Sequence, residues 1–137
     1  MKKTVAFLLC VFALFSFASC KKSDEKNPAG TDGKTVTYEE IGSGENQFFI
    51  DILFEAKEKN YSIKTDEKTV GAALEKLNMI EGEQGDYGLY IFSVEGEEHR
   101  YENGGKYWAF YENEQYASQS VDLTEIVDGA TYSLKVE

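Results

Sequence analysis

The residue with the clearest chemistry is Cys20, which stands directly after an apolar stretch. Two lysines, an apolar run over residues 5–17 and two small residues precede it. This order is typical of a bacterial lipoprotein signal, in which the cysteine thiol accepts a diacylglycerol before the preceding segment is cleaved. The apolar run is shorter than the roughly 20 residues that span a bilayer. We therefore expect cleavage after residue 19 and lipidation of Cys20, with a packing role for Cys20 as the alternative.

Aromatic residues between positions 87 and 116 form a second group that is suited to binding. Tyrosine and tryptophan offer a flat apolar face with one polar group, which suits stacking on planar ligands or sugars and equally suits protein interfaces. The alternative is that strands are rich in aromatic residues and that about half of these rings build the core. The candidate ligand-binding residues are Tyr90, Tyr107, Trp108, Tyr111 and Tyr116.

Alternation over residues 107–111 divides these candidates between two faces of a strand. Trp108 and Phe110 should share one face, and we favour the core for that face. Tyr107, Ala109 and Tyr111 should share the other face, which is then exposed or covered by a ligand or a partner.

Residues for catalysis or metal binding are few. His99 is the only histidine and has no cysteine or second histidine at ligand spacing, so we expect a solvated loop residue and no metal site. Glycines alternate with acids over residues 81–86, but the liganding positions of an EF-hand are missing, and a plain turn is the better interpretation. Nucleophile-elbow, Walker and dinucleotide motifs do not occur in the sequence. We expect a protein that is not an enzyme and has no cofactor of its own.

Charge and cysteine content narrow the choice of partners. Removal of residues 1–19 leaves 12 basic and 25 acidic residues, a net charge of about −13. Such a surface repels phosphate backbones, so we expect no nucleic-acid partner. One cysteine remains, which excludes a disulfide framework within the mature chain. We expect the acyl chains on Cys20 to hold the protein at the extracytoplasmic face of the cell membrane.

The chain divides into three segments. Residues 1–19 are the signal peptide. Residues 20–34 contain no apolar residue larger than Pro28, so they predict a flexible tether, with an ordered arm as the alternative. Residues 35–137 carry aromatic and aliphatic side chains throughout and are long enough for one hydrophobic core, which predicts a single domain.

Hydrophobic periodicity predicts a hairpin and one helix in the first half of this domain. Residues 47–55 alternate between apolar and polar types and predict a strand, which the polar residues 57–60 join to a second strand over residues 61–65. Thr69 is a candidate N-cap for a helix that ends near Asn78. The apolar stripe of that helix consists of Val70, Ala73, Leu74 and Leu77.

Three further strands are predicted over residues 87–94, 106–111 and 131–136, and Asn113-Glu114 forms a turn after the second of them. The resulting order is β-β-α-β-β-β. Such an order in about 100 residues favours an α+β fold, in which one mixed sheet has a single helix packed across one face. A roll of the β-grasp kind has this architecture.

Five short motifs also carry a resemblance to a known family. They are EIGSG at residues 40–44, TVGAAL at 69–74, GDYGLY at 85–90, KYWAFY at 106–111 and DGATY at 128–132. In this order and spacing they resemble the DUF4430 family, over roughly residues 38–137. That family is similar to the C-terminal β-domain of transcobalamin and intrinsic factor, and it is frequent among lipoproteins of anaerobic Gram-positive bacteria.

The resemblance implies a β-grasp-like domain that binds a soluble ligand, since relatives of the family help to hold cobalamin. A corrinoid such as cobalamin is accordingly the candidate ligand. At the hairpin the family usually places Asn-Gly, where this chain has Asn113-Glu114. A type I′ turn needs positive φ at both central residues and Glu resists that conformation, so we expect the turn to shift by one residue or to lengthen.

Three functions are compatible with these features. The first is a lipid-anchored protein that binds a small soluble ligand and passes it to a membrane importer. The second is an adhesion or scaffold module whose aromatic surface binds another protein or a glycan. The third, an enzyme, requires a cleft with paired acids and is the weakest. The sequence favours the first.

Overall fold

The computed structural model describes residues 35–137. The signal peptide, Cys20 and the tether lie outside the described residues, so cleavage, lipidation and the tether stay predictions. Within residues 35–137, no helix combines the length and the apolar character that a membrane crossing requires.

Nine strands and one α-helix follow one another along the described residues. They are β1 (Glu39–Gly42), β2 (Asn46–Leu53), β3 (Glu58–Thr65), α1 (Val70–Lys76), β4 (Ile80–Gly85), β5 (Gly88–Val94), β6 (Glu97–Glu98), β7 (Trp108–Glu112), β8 (Gln115–Tyr116) and β9 (Thr131–Val136). A short 3₁₀ helix, Tyr101–Asn103, lies between β6 and β7. One helix among many strands confirms the predicted α+β class.

Six of the strands form a mixed sheet in the order β1-β3-β2-β9-β7-β8. The pairs β1–β3 and β2–β9 are parallel, and the other pairs are antiparallel. Strands β4, β5 and β6 form a separate antiparallel sheet. The predicted mixed sheet is therefore present, together with a smaller sheet that the periodicity does not predict.

The core lies on one face of the six-stranded sheet. Alternate residues of β2, Phe48, Ile50 and Ile52, are fully buried there, and Ile50 is paired across the sheet with Tyr132 of β9. The same cluster includes side chains from α1 and from the small sheet, so these two elements cover the face together. Their members are Val70, Ala73, Leu74, Ile80, Ile91 and Val94.

Helix α1 forms as the sequence predicts. The Thr69 side-chain oxygen accepts a hydrogen bond from the Ala72 amide at 3.3 Å, which satisfies one of the free donors of the first turn. The helix ends at Lys76, Leu77 is its C-cap, and Asn78 follows with a φ of 55°. The predicted apolar stripe faces the core.

The predicted turn over residues 57–60 is wrong. Strand β3 begins at Glu58, and the turn lies over residues 54–57, where the Phe54 amide donates to the Lys57 carbonyl at 2.9 Å. Pairing with β1 starts only at Tyr61. The polar first residues of β3 therefore pair with β2 on one side and leave their other side open, which suits hydrophilic side chains.

The plain turn predicted over residues 81–86 is also wrong, because most of this segment belongs to β4. Cross-strand pairing with β5 overrides the poor strand propensity of its glycines. The register shifts between Glu81 and Gly82, a bulge where a Cβ on Gly82 would lie 2.7 Å from the Leu89 side chain. Glycine therefore permits the close approach of the two strands.

The turn at Asn113-Glu114 neither shifts nor lengthens, so that expectation is wrong. Both residues have positive φ, 49° and 65°, and Glu112 pairs with Gln115 as in a two-residue type I′ hairpin. A left-handed glutamate costs about 1–2 kcal/mol. The pairing of Tyr111 with Tyr116 that the turn permits offsets that cost.

Candidate functional site

An open groove of about 470 Å³ lies where the small sheet faces β7 and β8. Residues of three separate segments line the groove. These segments are the β4–β5 hairpin, the start of β7 and the loop that follows β8. Its aromatic lining residues are Tyr87, Tyr90, Tyr107, Trp108, Phe110 and Tyr116. The fold thereby gathers into one concave surface rings that are up to 29 positions apart in the sequence.

Four of the five candidate ligand-binding residues line this groove: Tyr90, Tyr107, Trp108 and Tyr116. Tyr111 does not. Its ring packs edge-on against Tyr116, with 5.4 Å between ring centroids, and its hydroxyl donates to the Glu137 carboxylate. That hydrogen bond is the main reason why the pKa of Tyr111 is raised to about 12. Tyr111 therefore packs beside Tyr116, outside the lining of the groove.

Trp108 forms the floor of the groove and also belongs to the core. Its side chain is buried, as is that of Phe110, and both belong to the core cluster, which confirms the predicted shared face. The indole N–H donates to the Glu97 carbonyl at 3.0 Å, and the ring packs edge-on against Phe54. Little of the indole is open to the groove.

Tyr107 and Tyr116 form one wall. Tyr116 is 61% exposed, and its phenol interacts electrostatically with that of Tyr107. The neighbouring Tyr116 phenol, burial and the Glu137 carboxylate together raise the pKa of Tyr107 above its ordinary value. Tyr107 therefore stays neutral at physiological pH.

The opposite wall comes from the β4–β5 hairpin. Tyr87 lies at its tip and is 93% exposed. The Tyr90 hydroxyl accepts a hydrogen bond from the Tyr101 amide at 3.2 Å, which fixes the Tyr90 ring. The two tyrosines of this wall therefore differ, since one is held and the other extends into solvent.

Asp122 ties the loop after β8 to the hairpin. Its carboxylate accepts hydrogen bonds from the Leu89 amide at 2.9 Å, from the Gln84 side chain at 3.2 Å and from the Ser120 hydroxyl at 2.5 Å. Burial raises the pKa of Asp122, but these hydrogen bonds outweigh it, so the net shift is downward. The carboxylate is charged at neutral pH and holds two walls together.

The start of α1 holds the same loop from below. The Val70 and Gly71 amides donate to the Thr124 and Val121 carbonyls at 3.0 and 2.8 Å. A Cβ on Gly71 would lie 2.7 Å from the Asp122 Cα atom. The glycine of the TVGAAL motif is therefore required for the close approach of helix and loop.

Sequence reasoning included Tyr87 in the aromatic group but not among the candidate ligand-binding residues, and it missed the loop residues 118–121 as parts of the groove. Periodicity carries no signal in a loop, and nothing near residue 120 in the sequence indicates that it meets Gly88. Gly71 could have indicated that another segment packs closely against α1, because a glycine inside a helical stripe often marks a close approach of two backbones.

His99 is not the solvated loop residue that we expected. Its side chain is 15% exposed, its Nε2 atom lies 3.0 Å from a Glu97 carboxylate oxygen, and its ring packs edge-on against Trp108.

A neighbouring cavity of about 340 Å³ includes His99, Arg100 and Lys106. The two cationic side chains are already paired with glutamates. In the part of the chain that the structure describes, no group of three or more His, Cys, Asp or Glu side chains could hold a metal ion.

Comparison with solved structures places this fold beside two known proteins. One is a protein of Ruminococcus gnavus ATCC 29149, described as a "putative metal binding protein", with a TM-score of 0.64 and 26% identity over 68% of this chain and 97% of its own. The other is haptocorrin in complex with Cbi, with a TM-score of 0.54 and 15% identity over 67% of this chain. The matched region spans 25% of the haptocorrin chain, and at this identity the likeness concerns the fold alone. It supports the transcobalamin-like fold that the sequence predicts.

Comparison by sequence gives a family but no curated relative. No curated protein matches the chain. The family model described as Domain of unknown function (DUF4430) matches residues 67–136, from just before α1 to the end of β9. This match contains every segment that lines the groove and confirms the resemblance inferred from the motifs. The chain belongs to the DUF4430 family.

Proposed function

We propose that this protein is a binding module for a small soluble ligand, which occupies the tyrosine-lined groove. The observation that carries the proposal is the convergence of six aromatic residues from three chain segments on one concave surface. Ligand pockets are typically about 300–1,000 Å³ and lined by aromatic side chains with a few polar groups. The groove has this size and this lining, with Ser118, Gln119 and Ser120 as polar groups.

The exposure of the rings supports a binding role over a purely structural one. Tyr87 and Tyr116 are 93% and 61% exposed, although each offers a large apolar face. Exposed aromatic residues that cluster around a concavity mark interaction sites more often than scattered ones do. The concave shape favours a small ligand over the alternative of a protein- or glycan-binding adhesion surface.

A corrinoid is the first ligand to test. Haptocorrin, which shares the fold at 15% identity, is described in complex with Cbi, and a flat macrocycle suits stacking on tyrosine rings. The groove is open to solvent, so part of a bound ligand would stay accessible. Accessibility is what transfer to a membrane importer requires, and the lipid on Cys20 would keep the module at the extracytoplasmic face of the cell membrane. We propose that it acts by binding and not by catalysis.

Trp108 is the sole tryptophan and lines the groove, so its fluorescence reports directly on occupancy. Titration of the purified protein with cobinamide and with cobalamin should give a saturable change. Tyr107→Ala combined with Tyr116→Ala should weaken binding about tenfold or more, because two stacking faces are lost. Val127→Ala is the control, since Val127 is 57% exposed and lies outside the lining.

Two results would count against this proposal. A flat fluorescence response to both corrinoids would remove the corrinoid assignment. Equal affinity of wild type and the Tyr107/Tyr116 double variant would move the site away from the groove.

Lipid attachment at Cys20 can be tested independently of ligand binding. Labelled palmitate should mark the wild-type protein and leave Cys20→Ser unmarked, because the thiol accepts the lipid. Equal labelling of the two proteins would end the lipoprotein interpretation.

A further inference from the structure

We infer that the groove selects organic cations, with a quaternary ammonium group as the part of the ligand that the tyrosine rings recognise. The inference rests on the proposed function, because it names the ligand class of the same groove. Its basis is the distribution of charge around the rings, which differs from that in the rest of the molecule.

The charge of the lining has one sign only. Asp86 is the single charged residue that lines the groove, and no lysine, arginine or histidine is among the lining residues. The whole chain carries 25 acidic and 14 basic residues. An anionic ligand would therefore meet a carboxylate, a negative protein field and no counter-charge.

Elsewhere in the described residues, aromatic faces are covered by cations of the chain itself. Lys57 lies over Phe54 at 4.2 Å, Arg100 over Phe92 at 3.8 Å and Lys135 over Tyr111 at 4.2 Å from the ring centroid. None of these three rings lines the groove. The groove rings thus have the chemistry that attracts cations, and no cation of the described residues lies over them.

A quaternary ammonium fits this lining better than a primary ammonium does. A primary ammonium is strongly hydrated and needs several acceptors to replace its water, whereas the groove offers one carboxylate and a few neutral polar groups. A quaternary ammonium has no N–H group to satisfy and is attracted by the faces of aromatic rings. Tyr107 keeps its proton at neutral pH, so the attraction should not change through the physiological range.

The test compares choline with 3,3-dimethyl-1-butanol, which has the same shape without the charge. Titration of the purified protein, followed by Trp108 fluorescence and by calorimetry, should show choline binding about tenfold more tightly than the neutral analogue. Tyr116→Leu, which keeps apolar area but removes the ring, should weaken choline several-fold and leave the neutral analogue nearly unchanged. Asp86→Asn should do the same, and Val127→Ala, at an exposed residue outside the lining, should change neither affinity.

The outcomes separate this inference from the proposed function. Equal binding of choline and its neutral analogue would overturn cation selection and leave the groove as a small-molecule site. Binding of a corrinoid without any binding of choline would also overturn it while the proposed function stands. Failure of choline, the neutral analogue and both corrinoids would overturn the two together.

Discussion

The core under α1 and the tyrosine-lined groove meet at Trp108 and Phe110, which belong to both, but the two regions are built differently. Under α1 the side chains are mostly aliphatic, and Val70, Leu74 and Ile63 are fully buried. At the groove the lining includes four tyrosines, of which Tyr87 and Tyr116 remain largely exposed. A helix closes the first region, whereas only a hairpin and a loop border the second. The first region thus serves stability, and the second leaves its rings accessible.

This difference predicts that substitutions in the two regions affect different properties of the protein. Substitutions under α1 should lower the free energy of unfolding and leave the groove's ligand preference unchanged in the folded fraction. Substitutions at exposed groove residues should change ligand binding and leave the free energy of unfolding nearly unchanged. Gly71 and Asp122 connect the two regions, since both hold the loop that forms one groove wall. Variants at these positions should affect both properties.

The largest effect is expected from Leu74→Ala. Leu74 is fully buried on the core face of α1, so truncation loses its burial and leaves a cavity, at a cost of about 2–5 kcal/mol. Urea unfolding should show this loss as a lower midpoint. Leu77→Ala, at the partly buried end of the same stripe, should cost less. A loss under about 0.5 kcal/mol for Leu74→Ala would contradict the closed core described above.

Gly71→Ala should produce a smaller loss, because two effects oppose each other. Alanine favours the helix by about 1 kcal/mol relative to glycine. The new Cβ, however, meets the backbone of Asp122 at 2.7 Å, and overpacking of this kind costs about 1–3 kcal/mol. We expect a net loss of about 1 kcal/mol in urea unfolding, together with weaker ligand binding. Gly104→Ala, whose Cβ meets nothing within 4 Å, is the control for a methyl group without a close contact. A Gly71→Ala variant that is more stable than wild type would show that the contact is relaxed.

The two regions also differ in how far the sequence predicts them. Helix α1 and strands β2 and β9 follow from local periodicity, because each buries one face and the apolar pattern lies within one short segment of the sequence. Strands β1, β4 and β6 do not, because they are short or rich in glycine and acids, and their pairing partners stabilise them. The turn at Asn113-Glu114 is a further case, since strand pairing overrides the preference of Glu114 for negative φ.

The groove was predictable only in part. Tyr107, Trp108 and Tyr116 belong to a conspicuous aromatic segment, and composition alone singled them out. Tyr111 belongs to the same segment but packs against Tyr116 without lining the groove, which composition does not indicate. The loop over residues 118–121 enters because Asp122 reaches the Leu89 amide, a contact across 33 positions. Such long-range contacts leave no local pattern.

Asp122 allows a pH test of the link between the two regions. Its pKa is lower in the folded protein than its ordinary value, so its contribution to stability is fully present above about pH 4 and is lost as the pH falls through the folded-state pKa. Asp122→Asn should therefore be less stable than wild type by about 1 kcal/mol at pH 7, and this difference should shrink as the pH falls below about 4. Unfolding midpoints measured at intervals between these values would check this. A constant difference at all pH values would mean that the charge of Asp122 is not what holds the loop.

Tyr87→Ala should have the smallest effect on stability and one of the clearest on function. The side chain is 93% exposed at the tip of the β4–β5 hairpin, so its truncation buries and uncovers almost nothing, and the free energy of unfolding should change by less than about 0.5 kcal/mol. Its ring nevertheless lines the groove, so ligand binding measured by Trp108 fluorescence should weaken several-fold. Val127→Ala, at another exposed apolar residue outside the lining, should leave both quantities unchanged. A Tyr87→Ala variant that loses stability but binds normally would reverse the contrast between the two regions, because an exposed groove ring would then serve the fold and not the ligand.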